Sequence, residues 1–195
     1  MTWLEPVTLS GAHVRLEPLS QAHEAGLIDA VRDGDLWRLW YTAVPSPDTM
    51  AKEIDRRLGL QTAGSMLPFT VFDANGGIAG MTTYMNVDAA NRRVEIGSTW
   101  YAQRVQRSLL NTECKLLLLT HAFERLNCIA VEFRTHFFNR QSRQAIERLG
   151  AKLDGILRCH QIGRDGALRD TVVYSIIASE WPAARQHLSF KLERG

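Results

Sequence analysis

Apolar and polar positions alternate over residues 13–18, which predicts an opening strand. Ser20 then stands as an N-cap, with Glu24 near the capping-box position, for a helix through about Arg32. Residues 35–41 are rich in aromatics and continue as a short helical turn, which Pro45-Ser46-Pro47-Asp48 breaks. A second helix is expected over 49–61, with Gly64 helping to end it. Residues 67–73 and 78–87 read as a strand and its return, because Asn75-Gly76 between them tolerates positive φ at both turn positions. Ala89-Ala90-Asn91 turns the chain into a third strand over 92–101. A leucine-rich helix over 112–125, a strand over 129–135 and a helix over 142–149 follow, the last stopped by Gly150. Strands over 151–161 and 168–177 flank the turn Gly163-Arg164-Asp165-Gly166, and a helix over 179–188 closes the chain with Pro182 in its first turn.

This order, β–α–α–β–β–β–α–β–α–β–β–α, pairs strands by hairpins first and by helical crossovers later. It predicts an α/β (α+β) fold, with a mixed sheet of about seven strands and helices on both faces. Neither a repeat nor a linker divides the 195 residues, so a single domain over 1–195 is expected.

The loop and helix entry at Gln106-Arg107-Ser108-Leu109-Leu110-Asn111-Thr112-Glu113 is the richest chemical signal. A strand that turns through a short polar loop into a helix leaves the first helical N–H groups unpaired at the positive end of the dipole, which favours a phosphate. A second polar helix entry, Asn139-Arg140-Gln141-Ser142-Arg143, follows the next strand. Two adjacent crossings of this kind suit one elongated, phosphate-bearing ligand.

Net charge is only +2, but Arg104, Arg107, Arg134, Arg140, Arg143 and Arg148 are concentrated in this region. Such a cluster fits a small polyanion and argues against a nucleic-acid partner. Three cysteines, Cys114, Cys128 and Cys159, lack metal-ligand spacing, so neither a metal site nor a disulfide framework is expected. There is no signal-peptide pattern, and the longest apolar run, residues 116–119, is too short to span a bilayer. A cytoplasmic protein without a membrane partner is the expectation.

The element order resembles the GCN5-related N-acetyltransferase fold, and within it the branch of ribosomal-protein N-terminal acetyltransferases. Glu95-Ile96-Gly97, residues 106–115, the run from Asn139 to Ala151, and Arg169-Asp170-Thr171-Val172-Val173-Tyr174-Ser175 carry the resemblance, which covers nearly the whole chain. It implies acetyl-coenzyme A as donor, with its pyrophosphate on backbone N–H groups of Arg107, Ser108, Leu109, Leu110 and Asn111, beside Gln106. The pantetheine arm would pair with backbone near Thr99, Trp100 and Tyr101. Asn139 would bond the pantetheine region and Ser142 would lie near the sulfur, while Arg143 would meet a phosphate. The family loop uses small residues where this chain has Leu109 and Asn111; Leu109 fits if its φ is negative and its side chain points away.

Acetyl transfer to an amine needs a base, a positioned thioester and a donor for the leaving thiolate. Glu95 is the expected base; the alternative is a structural carboxylate paired with Arg93 or Arg134. Ser142 is the expected thiolate donor; the alternative is a helix cap. Trp37, Trp40 and Tyr41 lie in the segment that lines the acceptor pocket in this fold, or else pack in the core. His136 and His160 read as structural or surface residues, His121 as a core-edge residue and Cys114 as a packed thiol. The acceptor is expected to be a protein N-terminus or a small amine, and the resemblance implies a homodimer. A non-catalytic acyl-coenzyme A-binding module, and a longer donor such as succinyl-coenzyme A, are the competing readings.

Overall fold

The computed structural model describes residues 3–163 and 166–194; Arg164 and Asp165 of the expected turn lie outside them. The strands are β1 (Leu9–Ser10), β2 (Val14–Pro18), β3 (Met66–Asp73), β4 (Ile78–Asp88), β5 (Arg93–Tyr101), β6 (Ala130–His136), β7 (Lys152–Ile162) and β8 (Leu168–Ile177). The helices are α1 (Glu24–Arg32), α2 (Met50–Thr62), α3 (Leu110–Thr120), α4 (Arg140–Glu147) and α5 (Trp181–Arg194).

Among the described residues the sheet has eight strands in the order β1-β2-β3-β4-β5-β6-β8-β7. The additional strand is β1, two residues long and too short for any periodic signal. Every neighbouring pair is antiparallel except β5 and β6, which run parallel because α3 crosses over between them.

Two cores cover the two faces. On one side Leu110, Cys114 and Leu118 of α3, Ile146 of α4, and Trp181 and Leu188 of α5 pack on Val131, Phe133, Val172 and Tyr174. On the other, Leu27 and Val31 of α1 and Met50 and Ile54 of α2 pack on Met81 and Trp100. β3 is buried on both faces along almost its whole length, which fits a sequence apolar from Met66 to Phe72 except at Thr70. β7, at the sheet edge, has no buried residue.

Several boundaries differ from the sequence reading for local reasons. Ser20 accepts a hydrogen bond from Ala22 N–H at 3.3 Å, but it caps a 3-10 turn over Gln21–His23 that then opens into α1. At the β3–β4 hairpin only Gly76 has positive φ (80°); Asn75 does not, since Gly76 N–H bonds back to Asp73 O and the turn closes through that single left-handed residue. The long helix is α-helical only to Thr120 and widens into a π-turn over His121–Arg125, with Leu126 N–H bonding His121 O at 3.1 Å. Among the described residues no helix is long and apolar enough to cross a membrane.

Candidate active site

β5 and β6 pair at only three positions, Arg93 with Ala130, Val94 with Val131 and Glu95 with Glu132. Beyond Glu95 the strands separate, although β5 continues to Tyr101 and β6 to His136. The edge of β5 toward β6 is thus open backbone through Thr99 and Trp100. β5 is also bulged in this stretch: Ser98 takes φ 48° and the register with β4 shifts between Met81 and Thr83. The buried guanidinium of Arg57 holds the bulge, bonding Thr83 Oγ1 at 2.6 Å, Ser98 O at 3.3 Å and Glu53 at 2.8 Å.

The open edge leads to the entry of α3. Gln106 Nε2 donates to Tyr101 O at 3.0 Å and fixes the loop to the end of β5. Arg107 supplies the left-handed residue of the loop (φ 61°), and Leu109 is in the helical region (φ −69°, ψ −15°), so no glycine is required at Leu109. Hydrogen bonding of the helix begins with Glu113 N–H to Leu109 O at 3.0 Å, while Leu110 N–H goes to Ser108 Oγ at 3.3 Å. The N–H groups of Asn111 and Thr112 are therefore left over at the helix start. A cleft of about 330 Å³ opens there, lined by Arg107, Ser108, Leu109, Asn111 and Thr112 on one side and Arg148 and Lys191 on the other.

The second helix entry faces the same gap. Asn139 Oδ1 accepts from Ser142 N–H at 3.0 Å, so Asn139, not Ser142, caps α4. The Ser142 hydroxyl bonds no group among the described residues. Arg143 turns toward the sheet, donating through Nε to Tyr174 Oη at 3.0 Å and lying over the Phe137 ring. Arg104 faces away from the cleft, paired with Asp73 and bonded to Ile78 O at 2.9 Å.

On the opposite face of the sheet from α3, Glu95 lies at the floor of the gap and is 5 % exposed. It accepts from Asn86 Nδ2 at 2.7 Å and stands 3.5 Å from Arg134 Nε. Burial is the main influence on its carboxyl and raises its pKa, against the Asn86 bond and the charge of Arg134. Beside it, burial pushes Glu132 upward too, but bonds from Arg134 and Arg93 prevail and hold it below the ordinary carboxylate range. Glu95 thus stands beside Arg134, as the structural alternative had it, and is a buried carboxylate of raised pKa.

His136 is also buried here. Its Nδ1 accepts from Phe138 N–H at 3.1 Å, which leaves Nε2 as the protonated nitrogen of the neutral ring. Burial, then the nearby Arg169 charge, lowers its pKa. Trp40 meets the His136 ring at 5.0 Å and Phe138 at 6.0 Å, and Tyr41 meets His136 at 6.4 Å. Trp40 and Phe138 remain 65 % and 61 % exposed, so they form a wall and not a core. Trp37 instead packs against the α1–α2 core. Cys114 is fully buried, with Tyr101 Oη donating to its sulfur at 3.2 Å, and burial raises its thiol pKa.

Residues 13–152 match the family model described as acetyltransferase (GNAT) domain. The chain belongs to the GNAT acetyltransferase family. Acyl transfer from an acyl-coenzyme A is the chemistry of that family. The chain is 32 % identical over 108 residues to the Bacillus subtilis (strain 168) protein named "Putative ribosomal N-acetyltransferase YdaF"; the match spans 55 % of this chain and 57 % of the length of that relative. A GCN5-related N-acetyltransferase from Brucella melitensis is 31 % identical with a TM-score of 0.84, covering 95 % of this chain and 85 % of that one. Mycobacterium smegmatis RimJ in complex with CoA-disulfide shares the fold at 24 % identity, with a TM-score of 0.79 and 95 % of both chains covered. The residues fit such a donor: the left-over N–H groups at α3 and the basic rim suit a pyrophosphate, and the open edge of β5 suits an amide-bearing arm.

Sequence reasoning missed four members of this site. Arg57 carried an i,i+4 signal with Glu53, but nothing marked it as buried. Lys115, Phe138 and Arg169 gave no signal of their own, although Lys115 closes one run that carries the family resemblance and Arg169 opens another. No group of three or more His, Cys, Asp or Glu side chains is placed to hold a metal among the described residues.

Proposed function

We propose that the protein is an acetyl-coenzyme A-dependent N-acetyltransferase that modifies a primary amine, a protein N-terminus or a small amine, by direct attack in a ternary complex. The observation that carries this reading is the gap between β5 and β6. It has the α3 entry at one end and the raised-pKa carboxylate of Glu95 on its far face. A donor entering from the α3–α4 side and an amine entering from the Trp40–His136 side would meet in it.

When bound, acetyl-coenzyme A supplies the activated acyl group. The chain's own residues hold and orient. The free N–H groups of Asn111 and Thr112 bind the diphosphate together with those of Arg107, Ser108 and Leu109, while the Leu110 N–H stays on Ser108 Oγ and Gln106 fixes the loop. The free edge of β5 at Thr99, Trp100 and Tyr101 orients the arm, and an N–H near Trp100 donates to the carbonyl oxygen. Asn139 has its Nδ2 donors free to bond the arm while its oxygen caps α4. Ser142 donates to the departing thiolate. Glu95 takes the proton of the incoming ammonium, and its raised pKa makes it a stronger base than an exposed carboxylate. Arg143, committed to Tyr174, shapes the α4 entry and does not need to reach a phosphate. Homologues named for ribosomal N-acetylation support a protein N-terminus as the acceptor.

The test is calorimetric titration with acetyl-coenzyme A, followed by thiol release over a panel of N-terminal peptides and small amines. Micromolar binding with turnover on a peptide is expected. Binding without turnover on any amine would leave a non-catalytic coenzyme A module, and faster turnover with succinyl-coenzyme A would replace the donor.

A further inference from the structure

The Arg169 guanidinium is a cation of the acceptor side without a contact partner among the described residues. Strand register fixes its face. Glu95 pairs with Glu132, Glu132 with Ser175, Arg134 with Val173 and His136 with Thr171. Residues opposite one another in register share a face, and alternation along β8 puts Arg169 with them. The other face of β6 and β8, at Val131, Phe133, Val172 and Tyr174, belongs to the core under α3, α4 and α5. Arg169 therefore lies on the side opposite the α3 cleft, where α1 and α2 do not cover the sheet and where Trp40 and Phe138 form a wall.

The glutamates nearest to it are bonded by other groups. Glu132 is bonded by both Arg93 and Arg134, and Glu95 by Asn86 with Arg134 at 3.5 Å. Asp170 is bonded by Arg158 and by Cys159 N–H. Of Arg93, Arg134 and Arg169, only Arg169 contacts neither glutamate, and the Glu95 charge acts on it from beyond contact distance. The Arg169 side chain is half-buried; its guanidinium has no carboxylate within 4.0 Å and makes no hydrogen bond among the described residues, and its Nε is buried without an acceptor. A buried guanidinium N–H left unpaired carries the desolvation cost of a charged donor. Its fork geometry matches a carboxylate, bound through two parallel N–H groups.

We propose that Arg169 binds a carboxylate on the acceptor, so that the preferred amines are acidic: a peptide with Asp or Glu in its first two residues, or a free amino acid. This rests on the acetyltransferase reading and narrows its substrate class. The position of Arg169 on the acceptor face is what assigns the carboxylate to the amine and not to the acyl group.

Matched acceptor pairs test it: Glu-initiated against Gln-initiated peptides, Asp against Asn at the second residue, and an amino acid against its amide. Thiol release from acetyl-coenzyme A is expected to favour the acid in at least one pair by about tenfold in kcat/KM, mostly through KM. Arg169→Gln should bring that ratio close to one, with a melting curve showing the variant folded. Arg169→Lys should keep part of the preference, because it retains the charge without the fork. Equal rates within every pair, or a preference that survives Arg169→Gln, would overturn the proposal while leaving the acetyltransferase reading in place. An Arg169-dependent preference for succinyl- over acetyl-coenzyme A with neutral amines would overturn the assignment to the acceptor. Binding of the N-acetylated pairs to coenzyme A-loaded protein, read by calorimetry, decides the question even without turnover. Acid-selective binding lost in Arg169→Gln then supports the carboxylate site although the acetyltransferase reading has failed, and binding without selectivity overturns it.

Discussion

Lys115 Nζ donates to Thr99 Oγ1 at 2.9 Å, joining α3 to the strand that lines the gap. The same ammonium reaches Thr82 Oγ1 at 3.3 Å, and the two threonine hydroxyls bond each other at 2.8 Å. Lys115 is buried and has no carboxylate partner among the described residues. Burial accordingly lowers its pKa.

A stability prediction follows from that burial. The unfolded chain holds the Lys115 proton more tightly than the folded one, so the group's penalty is full at low pH and fades as pH rises through its folded pKa toward the ordinary lysine value. Lys115→Met leaves the Thr82–Thr99 bond in place and should stabilise the protein by about 1–3 kcal/mol at neutral pH. Urea unfolding across pH should show this advantage shrinking in alkali.

Glu95 sets the acid limb of activity if it is the base. Its folded pKa stands above the ordinary value, so kcat/KM should rise with pH through that higher value, and Glu95→Gln should lower it by about a hundredfold or more and remove the limb. The sign is reversed for stability. The folded state binds the proton more tightly, so Glu95 loses stabilisation as pH rises through the same interval, and Glu95→Gln should be no less stable than the parent at neutral pH. A pH–rate profile and melting curves on the pair check both statements.

Leu109 and Arg107 divide the conformational demands of the α3 loop. Leu109 already has negative φ, so Leu109→Gly should shift coenzyme A affinity by less than about threefold while costing about 0.5–1 kcal/mol of stability. Arg107→Gly relieves a left-handed side chain and should stabilise by about 1 kcal/mol, yet weaken coenzyme A binding. Calorimetry with thermal melts separates the two effects.

Glu113 anchors the N-terminal turn. Its carboxylate accepts from the N–H groups of Ala12, His13 and Val14 at 2.9, 2.5 and 2.9 Å. Glu113→Ala strands these donors and should cost about 2–4 kcal/mol in urea unfolding, with Glu113→Gln losing less because one acceptor oxygen remains.

Periodicity made most of this architecture readable. Alternation marked β2, the Asn75-Gly76 turn marked the β3–β4 hairpin, and the leucine-rich stretch marked α3. What it could not mark were single residues in unusual conformations. Ser98 and Arg107 have no composition that announces a positive φ, so the bulge and the true start of α3 were invisible. The π-turn at residues 121–125 differs from an α-helix by one hydrogen-bond step, which leaves the apolar pattern unchanged. The loop, Asn139 and Glu95 stood out as candidates because polar residues at strand ends are informative. Arg169 did not, because its meaning depends on the absence of a partner, and partners two strands away in the sheet are a property of register.

The three-pair junction of β5 and β6 makes the sheet two leaves sewn together by a short seam, with α3 as the brace across them. A guest whose amides lay along the open edge would extend the seam. Filling the cleft and stiffening the molecule would then be one event, with free energy gained from binding reappearing as resistance to unfolding. The empty chain would be the form that breathes, exchanges its amide hydrogens near Trp100 and meets proteases, so supply of the donor would govern how long each copy lasts as well as how fast it works.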